Sequence, residues 1–417
     1  MTPSVDWKRN DYSRVPYWLY SDARIYELEQ ERIFKGPTWN YVALEAEIPN
    51  PGDFLTCYIG DTPVIVNRAK DGALHAMVNR CAHRGALVRR EKRGNAREHI
   101  CIYHKWGYAL DGRLTGLPFR RGLKGQGGMS PDFKLEEHGM PALRVESYRG
   151  MIFASFRREL EPLQDYLGPV FLGHIDRLFS KPIRILGYQR QRIFGNWKQY
   201  LENTRDTYHG SLLHEFQSTF GLSRVTQTGG VTMDGRHRHN LTWSKVGTDD
   251  DTEFSSLYKD NKVHESQLRL LEPSLVKFHR EWGDGNSLAI CSIFPNLTIH
   301  QISNSVAARQ LRTNGPGEFE LNFTLFGYQD DSEEMTQHRL AQANFVGPAG
   351  LVSMEDGEAI EITYRAVAGD RDACSVIEMG GGGAINNLEH RVNDVPVRGF
   401  WSYYSELMGI EPEGAVR

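Results

Sequence analysis

The stretch CAHRGALVRREKRGNAREHICIYHKWGY, residues 81 to 108, constrains this chain more than any other. It holds Cys81 and His83, then, after a gap of seventeen residues, Cys101 and His104. A zinc finger usually pairs two cysteines on one arm with two histidines on the other. Here each arm carries one of each. A binuclear cluster accounts for that better, because two loops that both reach across both metals would each contribute one thiolate and one imidazole. Glycines at 85 and 107, close after each pair, let the loops turn tightly and bring backbone N–H groups toward the cluster sulfurs.

That ligand set is the one of a Rieske [2Fe–2S] centre, in which two histidines replace two cysteines on one iron and raise the potential to roughly −150 to +300 mV. The expected ligands are Cys81 and Cys101 on one iron, and His83 and His104 on the other. Such a centre carries single electrons. Five cysteines in 417 residues, an odd number, argue for reduced thiols over a disulfide framework. Cys57, Cys291 and Cys374 have no partner at motif spacing and read as buried thiols. The net charge of −4 gives no reason to expect a nucleic-acid surface. The polar N-terminus MTPSVDWKRNDYSR is no signal peptide, and no apolar run of about 18 residues could span a bilayer, so the cytoplasm is the expected location.

The chain changes character near residue 160. From Asp53 to Phe156 it reads as short β segments with turn signals at Asp71-Gly72 and Asp111-Gly112, a small all-β module. Beyond it, IRILGYQRQRI alternates like a half-buried strand and leads into NWKQYLENTRDTYHGSLLHEF, which has helical spacing. LAICSIFPNLTIHQI and GEFELNFTLFGY read as strands, and EEMTQHRLAQANF as a helix. The second part is therefore α+β, with a large, mainly antiparallel sheet. KGQGGM and the run Gly380 to Gly383 lack the context of a phosphate loop and read as flexible turns or a mobile flap.

A one-electron carrier needs an acceptor, and ENTRDTYHGSLLHE supplies candidates. Asn203, Asp206 and His209 are three apart and share a face if the helix continues. His214 lies five residues after His209, a rotation of about 140° on an unbroken helix. The helix must bend or end between the two histidines, and Gly210-Ser211 is the expected break. Two imidazoles and one carboxylate form the facial triad of non-heme Fe(II) oxygenases. The carboxylate is either local, Asp206, or distant, from the pair Glu355-Asp356 at the start of another apparent helix.

C-A-H-R-G, C-I-Y-H-K-W, N-x-x-D-x-x-H-x4-H and G-P-A-G-x4-E-D-G-E together resemble the large subunit of Rieske non-heme iron ring-hydroxylating oxygenases, over essentially the whole chain. The resemblance implies a segment 1–37 packing on the catalytic domain, a Rieske domain over 38–160 and a catalytic domain over 161–417. The catalytic domain would be of the helix-grip type, an antiparallel sheet around a long helix. By the same resemblance the mononuclear iron ligands are His209, His214 and Asp356, with Glu355 standing where the family usually has a first aspartate. Asp206 falls on the family's bridging aspartate, which hydrogen-bonds His209 and, across a subunit boundary, a Rieske histidine, here His104. Asn203 matches an asparagine near the iron. The implied cofactors are one [2Fe–2S] cluster and one Fe(II) per subunit. The implied partners are an NADH-dependent reductase, with or without a ferredoxin, in a head-to-tail trimer or, with a small β subunit, an α3β3 assembly.

SRVPYWLYSD, LEAEIPNPGDF, KGQGGM, GPAGLVSMEDG and VRGFW resemble the subgroup acting on aromatic carboxylates: anthranilate, ortho-halobenzoates, salicylate and terephthalate. Anthranilate or another ortho-substituted benzoate is the expected substrate, with terephthalate 1,2-dioxygenation or salicylate monooxygenation as alternatives. A planar carboxylate suits arginine's two-pronged donor set, and the candidates are Arg309 and Arg398. His237 and His239 in GRHRHN would share a strand face, a structural position before a metal pair. Two other classes remain: a Rieske electron carrier without oxygenase activity, and a zinc-stapled binding protein.

Overall fold

The computed structural model describes residues 11–248 and 270–410. The chain forms two units, one of residues 34–166 and one joining residues 1–33 to 167–417. The boundaries therefore fall at 33/34 and 166/167, where 37/38 and 160/161 were expected. Local hydrogen bonds account for the extra length of the first unit. Asn40 Nδ2 donates to the Phe34 carbonyl at 3.1 Å, Trp39 Nε1 to the Glu161 carbonyl at 3.0 Å, and Leu163 N–H to Glu146 Oε2 at 2.9 Å.

The first unit is all β. Seven strands form one sheet in the order Asn40–Leu44, Met151–Ser155, Ala142–Tyr148, Leu74–Val78, Thr62–Arg68, Asp53–Ile59 and Arg93–Asn95. His99–Ile100, Gly107–Tyr108 and Leu114–Gly116 make a smaller one. Both turn signals are turns: Gly72 and Gly112 have φ of 88° and 89°, a conformation open to glycine at little cost. Phe54, Ile65, Met77, Trp106 and Tyr108 pack into a core that also takes in Cys81 and Cys101.

The second unit is built on a seven-stranded antiparallel sheet. Its order is Ile183–Ile193, Phe319–Tyr328, Ser305–Thr313, Leu297–Ile302, Leu288–Ile293, Asn240–Ser244 and Gly229–Met233. LAICSIFPNLTIHQI is thus two strands, folded back at Phe294 to Asn296, because Pro295 has no N–H to continue a ladder. Register puts Thr242 opposite Ile290, Leu288 opposite Ile302, Ile302 opposite Ser305, and Arg309 opposite Thr298 and Phe323. With a side-chain period of two, Leu288, Ile290, Ile302 and Arg309 share one face. Among its helices are Trp197–Asn203, Glu333–Val346, Ser353–Val367 and Val395–Met408. The last is buried along nearly its whole length, its Tyr403 ring 5.1 Å from Phe294 and its Trp401 indole donating to Glu202 Oε1 at 2.6 Å. At the N-terminus, Arg14–Pro16 pairs antiparallel with Cys374–Val376. No helix among the described residues is long and apolar enough to cross a membrane.

Candidate functional site

The Trp197–Asn203 helix begins at a capping box: Asn196 Oδ1 accepts the Lys198 N–H, and Gln199 Oε1 accepts the Asn196 N–H, both at 3.0 Å. It ends at Asn203, sooner than the sequence pattern predicts. Asp206 is the reason the chain does not resume helix, since its Oδ1 accepts the N–H groups of both Tyr208 and His209 at 3.1 Å and closes a turn instead. His209–Ser211 is then a single 3-10 turn and Glu215–Thr219 a new short helix. The anticipated break lies across residues 204–208 and the turn at 209–211, so Asn203, Asp206 and His209 do not share a helical face.

The broken path does bring two imidazoles together. His209 Nδ1 lies 3.0 Å from the Asp206 carbonyl and His214 Nδ1 2.6 Å from Glu355 Oε2. With Nδ1–H donating in each ring, both Nε2 lone pairs are left facing the site. Each Nε2 is 3.3 Å from Asp356 Oδ1, and the three ligand atoms lie within 4.8 Å of one another. Asn203 Nδ2 donates to the same Asp356 oxygen at 3.1 Å. Asp356 stands in the first turn of the Ser353–Val367 helix, which Gly357 allows to lie close to the sheet: a Cβ there would come within 2.5 Å of Gln191 Nε2, whose amide holds the Ser353 carbonyl at 2.7 Å. Of the pair Glu355-Asp356, the aspartate therefore faces both histidines and the glutamate orients one of them. Burial alone would lower the pKa of His209, but the Asp206 and Asp356 carboxylates outweigh it and raise it, so the site favours positive charge at Nε2, which a metal ion supplies in place of a proton. Burial likewise works against the Asp356 carboxylate, which the two histidines nevertheless hold well below its usual range. Two imidazoles and one carboxylate converging in this way fit a single divalent metal ion.

The trio lines a cavity of about 620 Å3, mouth included, with Leu288, Ile290, Ile302 and Val352 as its apolar wall. Arg309 enters the same cavity from the sheet. It is only 4% exposed; its Nε donates to His300 Nδ1 at 2.6 Å, its guanidinium lies over the Phe323 ring at 5.0 Å, and its Nη2 has no hydrogen-bond partner among the described residues. Burial, then the Arg309 charge, keeps His300 from protonating, so it accepts that bond as a neutral ring. Arg398 is elsewhere. Its Nη1 and Nη2 donate to the carbonyls of Gly383 and Gly381 at 2.9 and 3.0 Å, which corrects its expected place at the substrate; of the two readings of Gly380 to Gly383, the run takes the turn, with positive φ at Gly380, Gly381 and Gly383. The arginine pins that run in place. A second guanidinium in the cavity wall, Arg391, has no motif around it and was invisible in the sequence. His237 and His239 precede the strand that starts at Asn240; His237 has φ 60° in a turn, and buried His239 accepts the Phe294 N–H at 3.2 Å, so they form no shared strand face.

Behind Asn203, Glu202 Oε1 accepts from Tyr20 OH at 2.8 Å and Trp401 Nε1 at 2.6 Å. Burial, against those two bonds and Lys198, raises its carboxyl to about 7. The folded state then keeps a proton that the unfolded chain releases above about pH 4.5, so this contribution is complete below that pH and lost as pH rises through 7. Glu202→Gln keeps an acceptor for both donors. Its melting temperature should match the wild type near pH 5 and exceed it by several degrees at pH 8; equal pH slopes for the two proteins would refute this.

In the first unit, Cys81 and Cys101 open two similar turns. Gly85 N–H bonds back to the Cys81 carbonyl and Lys105 N–H to the Cys101 carbonyl, both at 3.0 Å. The left-handed residue of the first turn is Gly85, φ 75°, as anticipated; in the second it is Lys105, φ 55°, while Gly107 already belongs to a strand. Tyr108 OH lies 3.2 Å from Cys81 Sγ, and the backbone N–H groups of Tyr103 and His104 point at Cys101 Sγ. His83 stacks on Trp106 at 5.0 Å, and its Nδ1 is 3.1 Å from His104 Nδ1. Two imidazoles directing nitrogens at one another need a proton or a metal between them, and the two buried thiols of the same turns fit an iron–sulfur cluster.

Comparison with known families matches residues 38–126 to the Rieske [2Fe-2S] domain and residues 184–408 to the ring hydroxylating alpha subunit (catalytic domain). The chain belongs to the Rieske ring-hydroxylating oxygenase alpha subunits. This alpha subunit is 47% identical to the anthranilate 1,2-dioxygenase large subunit of Burkholderia cepacia, over 97% of this chain and 96% of that one. It is 43% identical to the terephthalate 1,2-dioxygenase alpha subunit 2 of a Comamonas species, over 98% of each, and 44% to the salicylate 5-hydroxylase large component of a Ralstonia species, over 97% and 96%. Its fold matches naphthalene 1,2-dioxygenase from Rhodococcus with a TM-score of 0.77, at 23% identity over 95% and 94% of the two chains.

Proposed function

We propose that this alpha subunit hydroxylates an aromatic carboxylate, with anthranilate or another ortho-substituted benzoate as the first candidate. The observation that carries the reading is Arg309: a buried guanidinium whose Nη2 has no partner among the described residues, in the wall of the cavity that His209, His214 and Asp356 also line. A fixed cation in an apolar cavity is stabilised by an anion, and a planar carboxylate can use both prongs. The relatives named for anthranilate, terephthalate and salicylate support the same class.

In this reading Cys81, Cys101, His83 and His104 hold the cluster, and His209, His214 and Asp356 hold iron. The cluster supplies single electrons and the iron supplies dioxygen activation. The chain's own part is positional. Arg309 anchors the carboxylate, and Leu288, Ile290, Ile302 and Val352 hold the ring and keep water out. The Asp206 carbonyl and the Glu355 carboxylate retain the Nδ1 protons of His209 and His214, and Asn203 holds the Asp356 oxygen. Asp206 also serves as the bridge to His104 of a neighbouring copy in a head-to-tail ring, reduced by an NADH-dependent reductase.

The test is a single turnover: the protein is reduced anaerobically, then given oxygen with anthranilate, 2-chlorobenzoate, salicylate, benzoate or terephthalate, and products are weighed by mass spectrometry. One acid should be hydroxylated. Arg309→Leu should weaken binding of that acid about a hundredfold, as expected for loss of a buried, charge-assisted pair, and Arg309→Lys should weaken it less. An acid that reacts equally well with the leucine variant would remove Arg309 from the anchor role.

A further inference from the structure

Beyond the wall formed by Leu288 and Ile302 lies a small recess, separate from the metal-facing space and bordered by Leu222, Val276 and Phe345. It has room for about one methyl-sized group. Gln217, Leu288 and Ile302 border both spaces and so form the waist between them. Arg309 and the three residues His209, His214 and Asp356 border only the larger one.

Sheet register sets the direction. Arg309 lies opposite Thr298 and Ile302 opposite Ser305, a separation of four residues or about 13 Å along the strands, on one face. A ring whose carboxylate rests on Arg309 therefore extends toward Ile302, and the substituent on its far side meets the waist.

Gln217 is the polar group that stands there. It is 4% exposed, yet its side-chain amide makes no hydrogen bond among the described residues. Only its backbone is engaged, its N–H with the His214 carbonyl at 2.9 Å and its carbonyl with the Leu222 N–H at 2.8 Å. The amide lines both spaces, where a ligand group can pair with it and gain a hydrogen bond out of bulk water. Because an amide both donates and accepts, a hydroxyl or an amino group satisfies it and a methyl group does not.

We propose that Gln217 is a specificity-determining residue that selects aromatic acids carrying a hydroxyl or amino group on the side of the ring away from the carboxylate. The inference rests on the aromatic-acid reading given above. The recess beyond the waist limits that substituent to about the size of a methyl group.

The test is binding to the intact, metal-loaded protein without oxygen, measured by calorimetry. The ligands are benzoates bearing methyl, hydroxyl or amino groups at the 3- or 4-position, which are close in size and differ in hydrogen bonding. In at least one of the two series the wild type should prefer hydroxyl or amino over methyl by about tenfold, the worth of one recovered hydrogen bond. Gln217→Leu should bring that ratio to one or invert it. Gln217→Met serves the same comparison should the leucine variant fail to fold. A merely structural glutamine would shift all the acids together and leave the ratio alone. A ratio that persists in the variants, or a wild type without preference in either series, would overturn the proposal. If acids bind in an Arg309-dependent way while that ratio fails, only this inference falls; if no acid binds the wild type, the aromatic-acid reading falls and takes this one with it.

Discussion

Asp356→Ala is expected to strip the mononuclear iron from the purified protein, leave the visible spectrum of the cluster intact and lower single-turnover yield by more than about a hundredfold. The bound rests on comparison: loss of an outer partner of a metal ligand typically costs about 10- to 100-fold in metal affinity or activity, and Asp356 is in the inner position. Its Oδ1 sits 3.3 Å from both histidine Nε2 atoms, where no other carboxylate among the described residues reaches both rings. Glu355→Gln makes the complementary case. The glutamate touches only His214 Nδ1, at 2.6 Å, and a glutamine carbonyl still accepts that N–H, so iron should be retained and activity should fall by about tenfold. Metal analysis of the two variants separates the roles, and equal iron loss in both would sink the assignment of aspartate inside and glutamate outside.

Those two adjacent acids also mark where sequence reasoning stops. Helical spacing after Val352 predicts a helix with acids in its first turn, and Ser353–Val367 is that helix, but spacing alone does not say which acid turns inward. The hydrogen bond from Asn203, itself at the end of another helix, completes that choice. The strand pattern was legible because hydrophobic alternation survives in each segment, and the Asp71-Gly72 and Asp111-Gly112 turns because glycine leaves a signature where φ is positive. Lys105 leaves none, so the second cluster loop was misplaced onto Gly107. The helix ending at Asn203 was misread for a related reason: Asp206 diverts the chain through two backbone N–H groups, and a side chain capping a turn resembles in sequence an acid on a helix face. Arg398 had the right chemistry and the wrong surroundings. Its carbonyl partners, Gly381 and Gly383, are defined by a tertiary fold that composition does not encode.

The second large effect is on stability and lies away from both metal sites. Glu29, fully buried on the Ala23–Glu29 helix, accepts from Lys198 Nζ at 2.7 Å, Trp197 Nε1 at 2.6 Å and Tyr404 OH at 2.6 Å. One carboxylate thereby joins the N-terminal segment to the Trp197–Asn203 helix that leads to His209 and to the buried Val395–Met408 helix. Lys198 is 1% exposed, and Glu29 is the anion in contact with it. Glu29→Ala leaves that ammonium buried without its counter-charge and two further donors without an acceptor, so it should destabilise the catalytic unit by about 3–5 kcal/mol. Lys198→Met alone should cost a similar amount for the mirror reason. The double variant Glu29→Gln with Lys198→Met removes both charges; the amide oxygen accepts the Trp197 indole N–H and the amide NH2 donates to the Tyr404 hydroxyl, which can accept as well as donate, so the variant should recover most of the loss, because a buried ion pair contributes little beyond a neutral replacement of the same shape. Chemical denaturation followed by tryptophan fluorescence would measure all three, and Glu29→Ala within about 1 kcal/mol of wild type would refute the account. Recovery in the double variant distinguishes a charge that must be matched from a contact that must be present, and only the first makes the N-terminal segment an electrostatic partner of the helix carrying Asn203.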